Sequence, residues 1–217
     1  MNPINRNTLG LRANTRLAGY AALAGAALAA PAVAKATIIY SGSIPFPANF
    51  VIPNNFDGVY INFVTGQTGT ATFTGFNWDP YNGGTGLQFF WGGGVNGGLS
   101  LDTTTYATLA FGTPITSANT YLNVTSTAAT ANWRAGADLY LGVRFVNSVT
   151  SATNYGWVHL TTSGATGFPA TIVDYAYENS GGSILAGQVP EPTTFALLGV
   201  MAAGALGVRA WRKRKAA

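Results

Sequence analysis

The middle of the chain, residues 35–188, consists of short runs in which apolar and polar residues alternate. In "DLYLGVRFV", four apolar residues at alternate positions share one face of a strand: Leu139, Leu141, Val143 and Phe145. Gly, Asn and Pro separate the runs, and no long segment has the apolar spacing of an amphipathic helix. The pattern predicts an all-β fold.

About nine strands are expected from this alternation. The clearest are "DLYLGVRFV", "NYGWVHL" and "TIVDYAYE", and the others lie at residues 36–41, 57–65, 69–76, 86–91, 104–110 and 120–124. In "TIVDYAYE", Val173, Tyr175 and Tyr177 are predicted to share one face. The length suffices for one domain with a core, so we predict a single antiparallel, jelly-roll-like β-sandwich over residues 35–180.

Two glycine-rich stretches interrupt the alternation. Residues 79–100, "DPYNGGTGLQFFWGGGVNGGLS", are interpreted as a set of turns and a mobile loop. They do not fit a phosphate-binding loop, because no lysine follows and no helix is indicated. Residues 181–189 are predicted to form a flexible Gly/Ser linker.

The N-terminus has the layout of a secretory signal peptide. Its positive region contains three arginines, Arg6, Arg12 and Arg16, and an apolar stretch follows at residues 17–30. Ala32 and Ala34 satisfy the small-x-small rule, so residues 1–34 are predicted to be a helical signal peptide cleaved after Ala34. Cleavage after Ala36 and an uncleaved membrane anchor are the alternatives.

The C-terminus combines three unlike segments. Pro190, Glu191 and Pro192 precede an uncharged stretch at residues 193–208. As a helix that stretch is about 24 Å long, short of the roughly 30 Å bilayer core, and Arg209 can extend it by snorkelling. A basic cluster follows, predicted to remain cytoplasmic beside a transmembrane helix: Arg209, Arg212, Lys213, Arg214 and Lys215. A buried core helix with a solvated basic tail is the alternative.

These three segments in this order resemble the PEP-CTERM sorting signal, here residues 190–217. The resemblance implies processing at Pro190, Glu191 and Pro192 by an exosortase, a membrane-embedded transpeptidase of bacteria that make exopolysaccharide. The implied route uses the secretion machinery and signal peptidase, then transient anchoring in the inner membrane, then the cell surface or the extracellular space. Glu191 is expected to be presented in an extended segment, because its neighbouring prolines disfavour sheet and helix.

The positive net charge of the chain belongs to its ends. Between residues 35 and 188 there are three basic residues against six acidic ones, a net charge of −3. A nucleic-acid partner is therefore not expected.

The middle of the chain is poor in catalytic chemistry. It has no cysteine and one histidine, His159, without a nucleophile-elbow sequence. Asp174 and Glu178 on one strand face would lie roughly 13 Å apart, too far for a glycosidase pair. Asp79, Asn82 and nearby carbonyls could ligate one calcium ion, which is an alternative, but they lack the regular Asp-x-Asp spacing of a calcium loop. We predict no catalytic residue, no metal and no cofactor.

Aromatic residues carry the one positive indication of binding. Trp78 and Trp91 flank the first glycine run of the glycine-rich stretch, residues 83–86, and are candidates for contacts with sugar rings, although core residues beside turns have the same pattern. We predict a non-enzymatic, structural or adhesive protein associated with exopolysaccharide. The alternatives are a carbohydrate-binding module with a defined glycan and a hydrolase that acts on the matrix.

Overall fold

The computed structural model describes residues 37–190. The predicted signal peptide with Ala32 and Ala34, and the chain from Glu191 onward, lie outside the described residues. Within residues 37–190, no helix has the length and hydrophobicity to cross a bilayer.

Thirteen short strands make up most of the regular structure, and every pairing between them is antiparallel. They are β1 (Ile38–Tyr40), β2 (Phe50–Val51), β3 (Tyr60–Ile61), β4 (Thr68–Gly69), β5 (Trp78–Asn82), β6 (Leu87–Trp91), β7 (Gly97–Ser100), β8 (Pro114–Ile115), β9 (Thr120–Leu122), β10 (Ala137–Val146), β11 (Thr153–Thr162), β12 (Ala170–Glu178) and β13 (Ile184–Leu185). Helix in the described part is limited to a 3-10 turn, Ser41–Ser43, and α1, Ala131–Arg134. The all-β prediction is confirmed.

The strands form two main sheets and a small ribbon. A seven-stranded sheet has the order β1-β12-β11-β10-β7-β9, with β2 also paired to β12. A four-stranded sheet has the order β4-β3-β5-β6, and β8 and β13 form a two-stranded ribbon. Residues of both main sheets share one hydrophobic core, which includes Phe63, Trp78, Leu141 and Val158. This is the packing expected of a sandwich, whereas the jelly-roll assignment stays a prediction.

The seven-stranded sheet is also covered on part of its other face. A second apolar cluster there contains Tyr155 and Trp157 of β11 together with Ile115 and Ile184 of the ribbon. Alternation along β11 therefore sends Val158 and Leu160 into the shared core, and Tyr155 and Trp157 under the ribbon.

The predicted face of Val173 is wrong because β12 contains a β-bulge. His159 is opposite Asp174, but Leu160 is opposite Ile172, so Val173 is an extra residue in β12. Ile172 takes the core position instead and is buried.

The glycine-rich stretch at residues 79–100 is not a loop but contains most of β5 together with β6 and β7. Glycine is needed in β7 for close packing. A Cβ atom at Gly97 would lie 2.5 Å from the Leu122 carbonyl oxygen, and one at Gly98 would lie 2.6 Å from the Tyr106 ring. Composition suggested mobility, but here glycine lets strands and aromatic rings approach each other.

Two other predicted strands do not form. Within residues 69–76 only Gly69 belongs to a strand. Residues 104–110 make isolated bridges at Tyr106 and Leu109 rather than a ladder. Tyr106 is buried in the core shared by the two main sheets, and Leu109 is buried in the second apolar cluster. The apolar character of these two residues therefore reflects core packing without strand pairing.

Candidate functional site

The chain remains part of the fold until just before the predicted sorting tripeptide. β13 pairs with β8 through Ile184 opposite Ile115 and Leu185 opposite Pro114. The contact continues past β13, because the Ala186 amide donates to the Thr113 carbonyl (2.9 Å) and the Ala186 carbonyl accepts from Gly112 (2.8 Å).

The predicted flexible linker at residues 181–189 is therefore wrong for most of its length. Ile184 and Ala186 are buried, and they cover Trp157 on the outer face of the seven-stranded sheet. The turn before them is also ordered, because the Glu178 carboxylate accepts hydrogen bonds from the amides of Ser180 (2.9 Å) and Gly182. Glycine and polar residues on both sides of the apolar run at residues 184–186 made the segment resemble a linker.

Among residues 37–190, Gln188 is the last one that hydrogen bonds tie to the domain. The Trp157 indole Nε1 donates to the Gln188 carbonyl at 3.0 Å. The Gln188 amide donates to the Leu185 carbonyl (2.9 Å), and its side-chain Oε1 accepts from the Leu185 amide (3.0 Å). Val189 and Pro190 are exposed. Pro190, the described part of the sorting tripeptide, is thus exposed two residues after a hydrogen-bonded attachment.

The remaining predicted residues of the sorting signal lie outside the described residues. These are Glu191 and Pro192 of the tripeptide and the basic cluster Arg209, Arg212, Lys213, Arg214 and Lys215. Their roles stay predictions.

The prediction of exposed rings at Trp78 and Trp91 is wrong. Trp78 is 0% and Trp91 2% exposed. Their rings stack on each other with centroids 6.0 Å apart, and Trp91 Nε1 donates to the Tyr106 hydroxyl at 2.9 Å. Position on either side of a glycine run suggested exposure, but alternation in β5 and β6 turns both side chains into the core.

Alternation in β6 exposes another ring instead, and three half-buried rings lie around it. Phe90 lies between the buried Phe89 and Trp91 and points to the outer face of the four-stranded sheet, where it is exposed. It stacks on Phe76 (5.9 Å between centroids), and Tyr60 meets Phe76 edge-on at 5.0 Å. Phe73 lies 6.2 Å from Phe76. We call Tyr60, Phe73, Phe76 and Phe90 the aromatic face.

A shallow cleft of about 290 Å³ adjoins the aromatic face and is lined by Phe73, Phe76, Asn77, Asn96 and Ser148, among others. The amide side chains that line the cleft are hydrogen-bonded to backbone groups. Asn77 Oδ1 accepts from the Phe63 amide at 2.8 Å, and Asn96 Oδ1 accepts from the Val146 amide at 2.8 Å. The rings are therefore the main groups that the cleft offers to a ligand.

Asp79 is buried next to the aromatic face. Its Oδ1 accepts from the Val59 amide at 3.0 Å. Burial raises the pKa of Asp79 to about 7, while the Val59 hydrogen bond opposes the shift. Asn82 Oδ1 accepts from the amides of Gly84 (2.9 Å) and Gly86 (3.1 Å). The two oxygens considered as calcium ligands thus bind backbone amides.

His159 lies in a polar cluster on the outer face of the seven-stranded sheet. Its Nε2 is 2.7 Å from Asp138 Oδ1, and its Nδ1 is 3.6 Å from Asp174 Oδ1. The Tyr40 hydroxyl donates to Asp174 Oδ2 at 2.8 Å, and Tyr140 stacks on the imidazole at 4.8 Å. Both ring nitrogens therefore face a carboxylate of the same sheet.

The described residues hold no group of three or more His, Cys, Asp or Glu side chains that could bind a metal ion. Glu178, one member of the glycosidase pair considered above, is buried and its carboxylate organises the turn before β13. The Glu178 carboxylate thus binds backbone amides of the turn that follows β12.

Comparison with known proteins identifies the C-terminal segment. A family model of the PEP-CTERM protein-sorting motif matches residues 188–215. No curated protein and no solved structure matches the chain significantly. The match begins at Gln188, the last described residue that is hydrogen-bonded to the β domain. The chain therefore carries a PEP-CTERM protein-sorting motif, which marks it as an exported protein sorted by an exosortase.

Proposed function

We propose that the β domain is a non-enzymatic structural or adhesive module, delivered to the cell surface or the extracellular matrix and associated with exopolysaccharide there. The observation that carries the proposal is the junction at Gln188. The described hydrogen bonds of the exported β domain extend to this residue, and the sorting motif begins at the same residue.

The polar groups of the domain support a non-enzymatic role. His159 is held between two carboxylates, and the carboxylate of Glu178 binds backbone amides. Asp79 is buried against the Val59 amide. Each of these groups has a structural partner, whereas catalytic groups need a free position facing a substrate.

Processing at the tripeptide tests the sorting mechanism. Glu191→Ala removes the charge that the two prolines present, so we expect the variant to accumulate unprocessed in the inner membrane while the β domain folds normally. Asp57→Ala, which removes an exposed carboxylate from the folded part, is the matched control and should be processed. Fractionation of cells and the mass of the C-terminus measure both variants. Release of Glu191→Ala at the wild-type rate would refute the role of the tripeptide.

A second candidate function, binding of a neutral glycan, is favoured by the aromatic face. One exposed ring, Phe90, and three half-buried rings beside a cleft without charged lining suit the apolar faces of sugar rings. We expect Phe90→Ala to weaken binding to the exopolysaccharide of the producing cells by about tenfold, the loss of about 1.4 kcal/mol.

Phe56→Ala is the control for that measurement, because Phe56 is 72% exposed but does not belong to the aromatic face. Affinity electrophoresis in gels that contain the polysaccharide compares the variants with the unchanged chain. Equal retardation of all three proteins, or no retardation of any, would exclude the aromatic face as a glycan site and leave the structural role.

A further inference from the structure

The ribbon of β8 and β13 is apolar on both of its faces. Ile115 and Ile184 point inward and are buried. Their neighbours Pro114 and Leu185, directly opposite each other in the pair, point outward and are exposed. A ribbon with one face on a core normally carries polar residues on the other face. The outer face of this ribbon is therefore suited to a partner other than water.

Two more apolar side chains extend this surface. Phe111 precedes β8, is 75% exposed and lies over Gly187, where a Cβ atom would be 2.5 Å from its ring. Val189 follows Gln188 and is 46% exposed. We call Phe111, Pro114, Leu185 and Val189 the exit surface, since they surround the point where the chain leaves the domain. None of them is charged.

The length of the chain beyond Gln188 limits how far the exit surface can be from a membrane. Gln188 is held by Trp157, and the uncharged stretch begins at Thr193. Five residues reach at most about 18 Å even when fully extended. The headgroup layers occupy roughly the outer 5–8 Å on each side of a bilayer. A domain attached by so short a connection stays next to the headgroups.

We propose that the exit surface rests on the lipid headgroup boundary of the membrane while the chain is anchored. This inference rests on the proposed sorting route, in which residues 193–208 hold the unprocessed chain in the bilayer. A zwitterionic lipid surface fits better than a charged protein site, because the exit surface is uncharged and contains an aromatic ring, a residue type suited to membrane interfaces.

The contact keeps the sorting tripeptide at one height above the membrane. The ribbon and Trp157 fix Gln188 relative to the domain, and the exit surface fixes the domain relative to the lipid. Four side chains provide only marginal, reversible binding without a second attachment. Removal of the C-terminal anchor therefore releases the domain.

The absence of cysteine from the chain permits a clean test. Phe111→Cys and Phe56→Cys each introduce one site for an environment-sensitive nitrobenzoxadiazole dye. Phe56 is the matched control, because it is 72% exposed and lies over Gly84 beside the four-stranded sheet. The labelled full-length chains are reconstituted into phosphatidylcholine vesicles and floated after an alkaline wash, and the dye is quenched by headgroup-level spin-labelled lipids.

We expect both chains to float, and the dye at position 111 to emit at shorter wavelength and to be quenched at least threefold more than the dye at position 56. Flotation with equal, water-like emission at both positions would overturn the lipid contact alone. Failure to float would overturn membrane anchoring and the contact with it. Shielding of position 111 only after addition of exosortase would assign the surface to the enzyme rather than to lipid. Processing of Glu191→Ala in cells reports on sorting separately.

Discussion

Individual buried asparagines supply hydrogen-bond partners to backbone groups at or near the ends of strands. The amide side chains of Asn77 and Asn96 accept from the amides of Phe63 and Val146, and Asn154 Nδ2 donates to the Glu178 carbonyl at 2.8 Å. All three asparagines are buried. Because a buried backbone group without a partner is costly, these side chains are structural, although their composition resembles that of loops.

Asp79 makes the stability of the domain depend on pH. Its pKa in the folded state is raised to about 7 by burial, so the folded chain binds more protons than the unfolded chain between about pH 4 and 7. Stability therefore falls as the pH rises through this window. We expect Asp79→Asn, which keeps an Oδ1 acceptor for the Val59 amide, to remove this loss and to stabilise the domain by about 1–3 kcal/mol at pH 8.

Urea denaturation between pH 4 and 8 measures this effect. Asp102→Asn is the control, because hydrogen bonds from Thr105 and Thr104 lower the pKa of Asp102 and its titration lies below the window. That variant should leave the slope of stability against pH unchanged. An unchanged slope in Asp79→Asn would show that Asp79 is ionised in the folded domain.

Among the elements, β7 connects β9 to the rest of the seven-stranded sheet. It pairs with β10 through Gly97 and Gly98 and with β9 through Gly98, Leu99 and Ser100. Two adjacent glycines are unfavourable in an isolated strand, so this strand depends on what surrounds it. Tyr106, whose hydroxyl donates to the Val124 carbonyl at 2.6 Å, occupies the space that a side chain at Gly98 would need.

Alanine substitutions within the glycine-rich stretch should show which of its glycines are required for close packing and which only lie in turns. At Gly98 a Cβ atom would lie 2.6 Å from the ring of the buried Tyr106, so we expect Gly98→Ala to cost about 1–3 kcal/mol. At Gly94 a Cβ atom would meet nothing within 4 Å, so Gly94→Ala should be neutral or slightly stabilising. Urea midpoints provide the comparison, and equal midpoints would mean that β7 is loosely packed.

For the domain as a unit, the C-terminal ribbon is part of the core rather than an appendage. Ile184 and Ala186 belong to the apolar cluster that covers Tyr155 and Trp157. Because Trp157 also holds Gln188, folding of the domain and presentation of the sorting motif are physically coupled.

Truncation tests this coupling. A chain that ends after Gln188 keeps the ribbon, whereas one that ends after Gly182 loses it and exposes Ile115 and Trp157. We expect the shorter chain to be less stable by about 3 kcal/mol or more, because it loses the burial of Ile184 and the hydrogen bonds around Ala186. Urea denaturation of both chains gives the difference. Equal stability would restore the interpretation of residues 181–189 as a flexible linker.

The sequence by itself determined the features that depend only on which residues follow one another along the chain. Alternation with a period of two specifies strands such as β10 wherever they pair, and the sorting motif is read from consecutive residues at 188–215. Which rings face solvent, and where the domain ends, depend on contacts between distant residues. Phe90 is exposed and Trp91 buried because the four-stranded sheet covers the core with one face, and β13 exists because Ile184 meets Ile115. A local sequence pattern cannot specify such contacts, because the burial of a residue depends on which distant parts of the chain pack against it.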